Sequence, residues 1–267
     1  MPISDYYDGL DRIAEHNGST DFFKLSPSSA ADFFLSSRQW YGQNLLGEPK
    51  FEGSVSTILG TIVHYFAEQA SLRLKPENPD KLVADFLSTQ KVESPAEIQA
   101  LWKDMSNELI KGCIHGHPKP LATEQFMFHK LLPGIYVGGT TDAIVDLGNG
   151  TVSIRDYKTA STKPSGISYA YRLQAHIYAF LATNYLGHKV SQIELQFVTR
   201  PTKTLPCRHF SFTEPFTEEN LATITDQLQL IAESVDFWNK NPDLRYLLAQ
   251  DLRLKPQPKK KPLFLKD

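Results

Sequence analysis

The chain has 267 residues, long enough for one large domain or two small ones with a sizeable buried core. Hydrophobic residues at 41% and charged residues at 22% exclude a wholly disordered chain, and 28 basic against 30 acidic side chains, a formal charge of -2, exclude a globally basic coat protein while allowing a local basic groove. Two cysteines, Cys113 and Cys207, cannot supply a disulfide framework or a four-cysteine zinc or iron–sulfur site.

The N-terminus, Met1-Pro2-Ile3-Ser4-Asp5-Tyr6-Tyr7, lacks the basic-then-apolar order of a signal peptide. No apolar run reaches membrane-spanning length, so the chain reads as soluble and cytoplasmic, with no membrane partner. Ser26-Pro27, a cap followed by proline at the first helical position, predicts a helix over about 26–41. A second helix is expected over about 56–74, with Leu59, Val63, Phe66 and Ala70 as its apolar stripe. Helices near 80–91 and 95–112 follow, the latter opened by the capping-box pattern Ser94-Pro95-Ala96-Glu97.

The texture then changes to strands over about 122–129, 134–147 and 151–158, with Gly148-Asn149-Gly150 as the turn between the last two. A loop at 159–166 leads to a long helix over about 168–186, stopped by Gly187. Strands near 192–199 and 205–212 and a helix over about 217–239 complete the folded part. Residues 255–267, rich in lysine and proline, read as a flexible tail. The expected class is α/β. Residues 1–120 form a helical region packed on a central mixed sheet, 121–240 carry the sheet and its helices, and 241–267 are a basic tail.

The chemistry gathers on one hairpin. In a strand, residues two apart share a face, so Asp156 and Lys158 point one way and Tyr157 the other. If Gly148-Asn149-Gly150 is a three-residue connection, Leu147 pairs with Thr151, Ile144 lies opposite Ile154, and Asp142 lies opposite Asp156. A two-residue turn would shift that register by one. Two facing carboxylates repel unless something compensates. A divalent cation does so, and hard oxygen donors suit magnesium or manganese.

Asp142…Asp156-Tyr157-Lys158 on a hairpin followed by a helix resembles the PD-(D/E)XK nuclease superfamily, and in particular its RecB-like exonuclease branch, which includes phage and mitochondrial exonucleases and CRISPR-associated nucleases. Three further segments carry the resemblance, which runs over roughly 25–215: Gly60-Thr61-Ile62-Val63-His64, Gln174-Ala175-His176-Ile177-Tyr178, and Ser26-Pro27-Ser28 with Phe33 and Phe34. It implies a restriction-endonuclease-like core and a metal-dependent, sequence-independent DNA exonuclease leaving 5′-phosphate products. The implied settings are phage or bacterial DNA degradation, recombination, replication or repair, with phage or host proteins of those processes as further partners. A structure-specific endonuclease and a catalytically silent DNA-binding subunit are the alternatives on the same fold.

The resemblance also implies roles. His64, Asp142, Asp156 and the Tyr157 carbonyl would hold Mg2+ or Mn2+. Lys158 would act at the scissile phosphate. Gln174 and Tyr178, four apart on one helix face, would contact the DNA backbone or support Lys158. Arg172, at the start of the same surface, would contact a phosphate. Glu124 stands where relatives often carry a glutamate, and a role beside the metal and a plain surface position are both open. Unlike CRISPR-associated members with four cysteines, this chain is expected to carry no iron–sulfur cluster.

Overall fold

The computed structural model describes residues 3, 9–49, 54–90 and 92–249. Of the basic tail expected over 241–267, Pro242–Leu244 and Tyr246–Ala249 are helical, and 250–267 lie outside the described residues. Helix α1 (Leu10–Asn17), strand β1 (Phe23–Leu25) and helices α2 (Pro27–Leu35), α3 (Ser37–Leu45), α4 (Val55–Ser71), α5 (Pro79–Thr89) and α6 (Pro95–Cys113) come first. Then follow β2 (Ala122–Leu132), β3 (Ile135–Asp146), β4 (Val152–Ala160), α7 (Tyr169–Leu186), β5 (Val190–Thr199), β6 (His209–Pro215) and α8 (Glu218–Lys240), with a short 3-10 turn and α9 (Tyr246–Ala249) at the end. The expected succession of three strands, a helix, two strands and a helix is what folds.

The six strands make one mixed sheet in the order β1-β3-β4-β5-β6, with β2 also on β3. β2, β3 and β4 run as an antiparallel meander. Helix α7 carries the chain across to β5, which lies parallel to β4, and β6 returns antiparallel. β5 alternates along its length: Ile193, Leu195 and Phe197 face α7, while Glu194 and Gln196 lie buried on the opposite face, where Glu194 pairs with Arg155 and Val198 meets the α4–α6 side. The result is three layers, with α2, α7 and α8 over one face of the sheet and α4, α5 and α6 over the other.

Local sequence explains how the layers close. The Ser54 hydroxyl accepts the Thr57 N–H to open α4, Ser168 accepts the Tyr171 N–H to open α7, and Thr217 and Asn220 cap α8 reciprocally. Gly187, with φ 72°, ends α7 in the left-handed conformation that favours glycine. On β3, a Cβ at Gly139 would lie 2.7 Å from Pro27 Cδ and 3.2 Å from Tyr178 Cε1, so only glycine lets α2 and α7 close on that strand together.

Several expectations are corrected. The helix over 26–41 is two, broken at Ser36 (φ -153°, ψ 60°), and the break turns Trp40, fully buried, back onto Phe33 at 5.2 Å. The capping box at Ser94 does not form, since its side chain makes no cap bond and Glu97 reaches Arg200 at 3.3 Å instead. The last strand starts at His209 rather than near 205, because Thr202–Leu205 closes a turn with Thr202 N–H on the Leu205 carbonyl. Among the described residues, no helix is long and apolar enough to cross a membrane.

Candidate active site

The β3–β4 ladder runs from Asp146↔Val152 to Ala143↔Arg155, and Leu147 N–H bonds the Thr151 carbonyl at 3.1 Å. The connection is therefore the three-residue one, and Ile144 stands opposite Ile154. One step past the last pair, Asp142 is level with Asp156. There the strands part. β3 continues toward its pairing with β1 at Ile135–Val137, while among the described residues Asp156–Ala160 pair with β5 alone. The Tyr157 N–H, left without a strand partner on that edge, donates to Asp142 Oδ2.

Helix α4 lays His64 over the same point. Its Nδ1 is 3.2 Å from Asp142 Oδ1, and its ring meets the buried Tyr157 ring edge-on at 6.0 Å. Lys158 Nζ lies 2.6 Å from Asp156 Oδ2 and donates to Gln174 Oε1 at 3.0 Å. Gln174 Nε2 in turn donates to the Tyr178 hydroxyl at 3.4 Å. The sequence-predicted His64, Asp142, Asp156, Tyr157, Lys158, Gln174 and Tyr178 are thus one connected cluster.

Glu124 belongs to it as well. The β2–β3 pairs Thr123↔Ala143 and Gln125↔Thr141 flank it and place it level with Asp142. Donor atoms of His64, Glu124 and Asp142 all lie within 4.8 Å of one another. Glu124 has φ 46°, a left-handed backbone unusual for a residue with a side chain. Sequence counting could not place it. From the Pro133-Gly134 turn, a regular hairpin pairing Leu132 with Ile135 would set Glu124 level with Ala143, and only the irregularity between Lys130 and Leu132 shifts it by one to Asp142.

The electrostatics divide the carboxylates. Burial pushes Asp142 up, but His64, Lys158 and the Tyr157 N–H outweigh it and hold the group below the usual carboxylate range. Burial raises Asp156, which Lys158 opposes and Asp142 reinforces. Burial and then Asp142 push Glu124 up to about 8. His64 is disfavoured as a cation by burial, yet Asp142 more than offsets this and lifts it to about 9. Lys158 is likewise penalised by burial and held charged by Asp156 and Asp142.

The remaining predicted contacts have other partners. Arg172 makes a two-pronged ion pair with Glu214 of β6, at 2.6 and 2.7 Å. Tyr178 is 5% exposed and sits behind Gln174 rather than on an open surface.

These shifts set an expected pH response for the metal-free protein. Glu124 is raised from 4.5 to about 8 in the fold, so its stabilising contribution is full below its unfolded value and is lost as pH rises through about 8. His64 is raised from 6.5 to about 9, and its contribution is lost as pH rises through about 9. Asp142 acts only in acid, where falling pH removes its contribution. In a chelator, the melting temperature should fall by roughly several degrees between pH 6 and 9, and Glu124→Gln should flatten the fall. Calorimetric scans across that range check this; a flat or rising profile would contradict the assigned charge states.

A cation fits this arrangement. The buried carboxylates of Asp142 on β3 and Asp156 on β4 converge with the half-buried Glu124 of β2 and an imidazole from α4, and Lys158 is the one ammonium against Asp156 Oδ2 among the described residues. Three carboxylates this close together are costly unless further positive charge is brought to them.

A family model described as the PD-(D/E)XK nuclease superfamily matches residues 24–259. Among solved structures, a candidate exonuclease from Eubacterium rectale superposes with a TM-score of 0.53 at 14% identity, covering 90% of this chain and 88% of that one. The alkaline exonuclease LHK-Exo from Laribacter hongkongensis gives 0.41 at 13% identity, covering 88% and 100%, and LHK-Exo in complex with dAMP gives 0.38 at 15%, covering 83% and 94%. No curated protein matches. At these identities the likeness to the Eubacterium rectale structure is one of fold.

Proposed function

The chain belongs to the PD-(D/E)XK nuclease superfamily, and from that premise we propose that it is a divalent-cation-dependent deoxyribonuclease of the RecB-like branch that degrades DNA from an end. The observation that carries this reading is the convergence of His64, Glu124, Asp142 and Asp156 where β3 and β4 part, with Lys158 beside them. Function is argued from that site rather than from the fold, which hosts many activities.

His64, Asp142, Asp156 and the Tyr157 carbonyl would hold the ion. Their oxygen donors favour magnesium, and the imidazole also admits manganese. When bound, such an ion stabilises charge on a phosphate oxygen and lowers the pKa of a bound water. The protein's own contribution is positional. Lys158 presents a charged ammonium to the negative charge that builds on the phosphate as the bond breaks. Gln174 Oε1 accepts a hydrogen bond from the ammonium and fixes its direction, and Gln174 is held in turn by its hydrogen bond to Tyr178. The α4 imidazole lies over the carboxylates and leaves the phosphate to approach from the side where the strands part.

Contacts to phosphate carry no base information, so cleavage is independent of sequence. The division of the chain follows from the same reading. Residues 121–240 hold the carboxylates, Lys158, Gln174 and Tyr178, residues 1–120 supply His64 on α4, and 241–267 add a basic tail that increases affinity for a polyanion. Phage or bacterial DNA degradation, recombination, replication or repair in the cytoplasm is the setting, with proteins of those processes as partners.

A helix laid across the cleft narrows it, which favours a frayed or threaded end over an internal duplex site. Linear and covalently closed circular DNA of one sequence, incubated with magnesium and with wild type or His64→Ala, test this. Linear DNA should be consumed and the circle spared, with the variant about 10-fold or more slower. Equal cutting of both forms makes the protein an endonuclease, and an unimpaired His64→Ala removes the imidazole from the site.

A further inference from the structure

Lys158 has a third neighbour besides Asp156 and Gln174. Its Nζ lies 5.2 Å from the centroid of the Tyr171 ring, on the ring face. Tyr171 sits in the first turn of α7, where the Ser168 cap takes its N–H at 3.3 Å and sets where the side chain starts. The ring also packs against Phe197 in an edge-type contact, at 5.8 Å between centroids and 60° between planes. Phe197 is 2% exposed and is the β5 residue level with Lys158 in the parallel β4–β5 register. Phe197, Tyr171 and the ammonium are thus linked in one chain of contacts from the buried core to Lys158.

The chemistry of the neighbours differs in a way that matters when the site is loaded. Asp156 can neutralise Lys158 or take part in holding a divalent ion, and its charge is shared once it does both. Gln174 offers one neutral acceptor. An aromatic face attracts an ammonium through its quadrupole yet carries no net charge. It therefore holds Lys158 in the cleft without competing with a phosphate for it, which a third carboxylate at the same place would do.

We propose that Tyr171 is a positioning residue for Lys158, its ring face keeping the ammonium aimed at the scissile phosphate once Asp156 is engaged by the cation. This rests on the nuclease reading above. The ring, not the hydroxyl, is the working part, so the effect falls on turnover rather than on ion or DNA binding.

The test measures kcat and KM on end-labelled linear duplex in magnesium, and manganese affinity by calorimetry, for wild type, Tyr171→Leu, Tyr171→Phe, Lys158→Ala and the double variant Lys158→Ala/Tyr171→Leu. Tyr171→Leu should lower kcat by about 5- to 30-fold with KM and manganese affinity within about threefold. Tyr171→Phe, which restores the ring, should recover turnover to within about twofold of wild type. The double variant should be no slower than Lys158→Ala alone, because the ring acts through the ammonium. If Tyr171→Leu melts early, Tyr171→Met and Tyr171→Trp make the same comparison of flexible chain against ring. An active wild type in which Tyr171→Phe falls as far as Tyr171→Leu, or in which the two losses multiply in the double variant, overturns this inference alone. A wild type that cuts no DNA overturns the nuclease reading with it.

Discussion

Asp156→Asn is expected to lower magnesium-dependent DNA cleavage by about 10³-fold or more while leaving the fold intact. The two halves of that expectation have separate causes. Asparagine keeps the shape of the side chain but supplies no negative charge, so ion binding and activation of its water both weaken. The fold survives because the charge acts on it in two opposing ways: Asp156 is 3% exposed and burial raises its pKa, while its Oδ2 lies 2.6 Å from the Lys158 ammonium. Asparagine keeps an amide oxygen within reach of the Lys158 ammonium, so relief of the buried charge and weakening of its ion pair oppose each other. The melting temperature in chelator should accordingly shift by no more than about a few degrees. Cleavage near the wild-type rate in excess magnesium would take Asp156 out of the metal site.

Lys158→Ala is expected to cost about 10²- to 10³-fold in turnover without loss of ion binding. Lysine donates and cannot ligate a cation, so its removal strikes the charge that develops during bond breaking. The structure adds a sign to the binding side. Lys158 Nζ lies 2.6 Å from Asp156 Oδ2, so the ammonium competes with a cation for that carboxylate. Taking it away should leave manganese affinity unchanged or tighter by about a few-fold. Calorimetry of manganese binding beside single-turnover cleavage separates the two effects. Loss of both together would give Lys158 a structural role.

Spacing orders the residues of this site, and the family resemblance is what assigns roles to His64, Gln174 and Tyr178. The two-residue period of a strand puts Asp156 and Lys158 on one side, and a three-residue connection at Gly148-Asn149-Gly150 then sets the Asp142 register. The helical period does the same for Gln174 and Tyr178, and for His64 beside the apolar stripe of α4. These are local rules applied to long, strongly patterned elements.

What escaped depends on partners far away in sequence. β1 is three residues long and is a strand only because Ile135–Val137 pair with it. Glu124 reaches the site through one irregularity near Leu132 and a left-handed backbone, neither of which has a compositional sign. Arg172 looked free for phosphate, but Glu214, from a strand beyond β5, takes its guanidinium. Tyr171 beside Lys158 is set by the packing of α7 on Phe197. Registers and helix docking decide these, and both are settled by the whole sheet rather than by the segment.

The central claim is that this cluster hydrolyses DNA when a divalent ion is supplied. Digestion of 5′- and 3′-labelled linear DNA, single- and double-stranded, with magnesium against chelator, tests it most directly. The account predicts rapid loss of label from an end in magnesium, with cleavage in chelator lower by about 10³-fold or more. No cleavage of any of these substrates in magnesium or manganese, or equal cleavage in chelator, would contradict it.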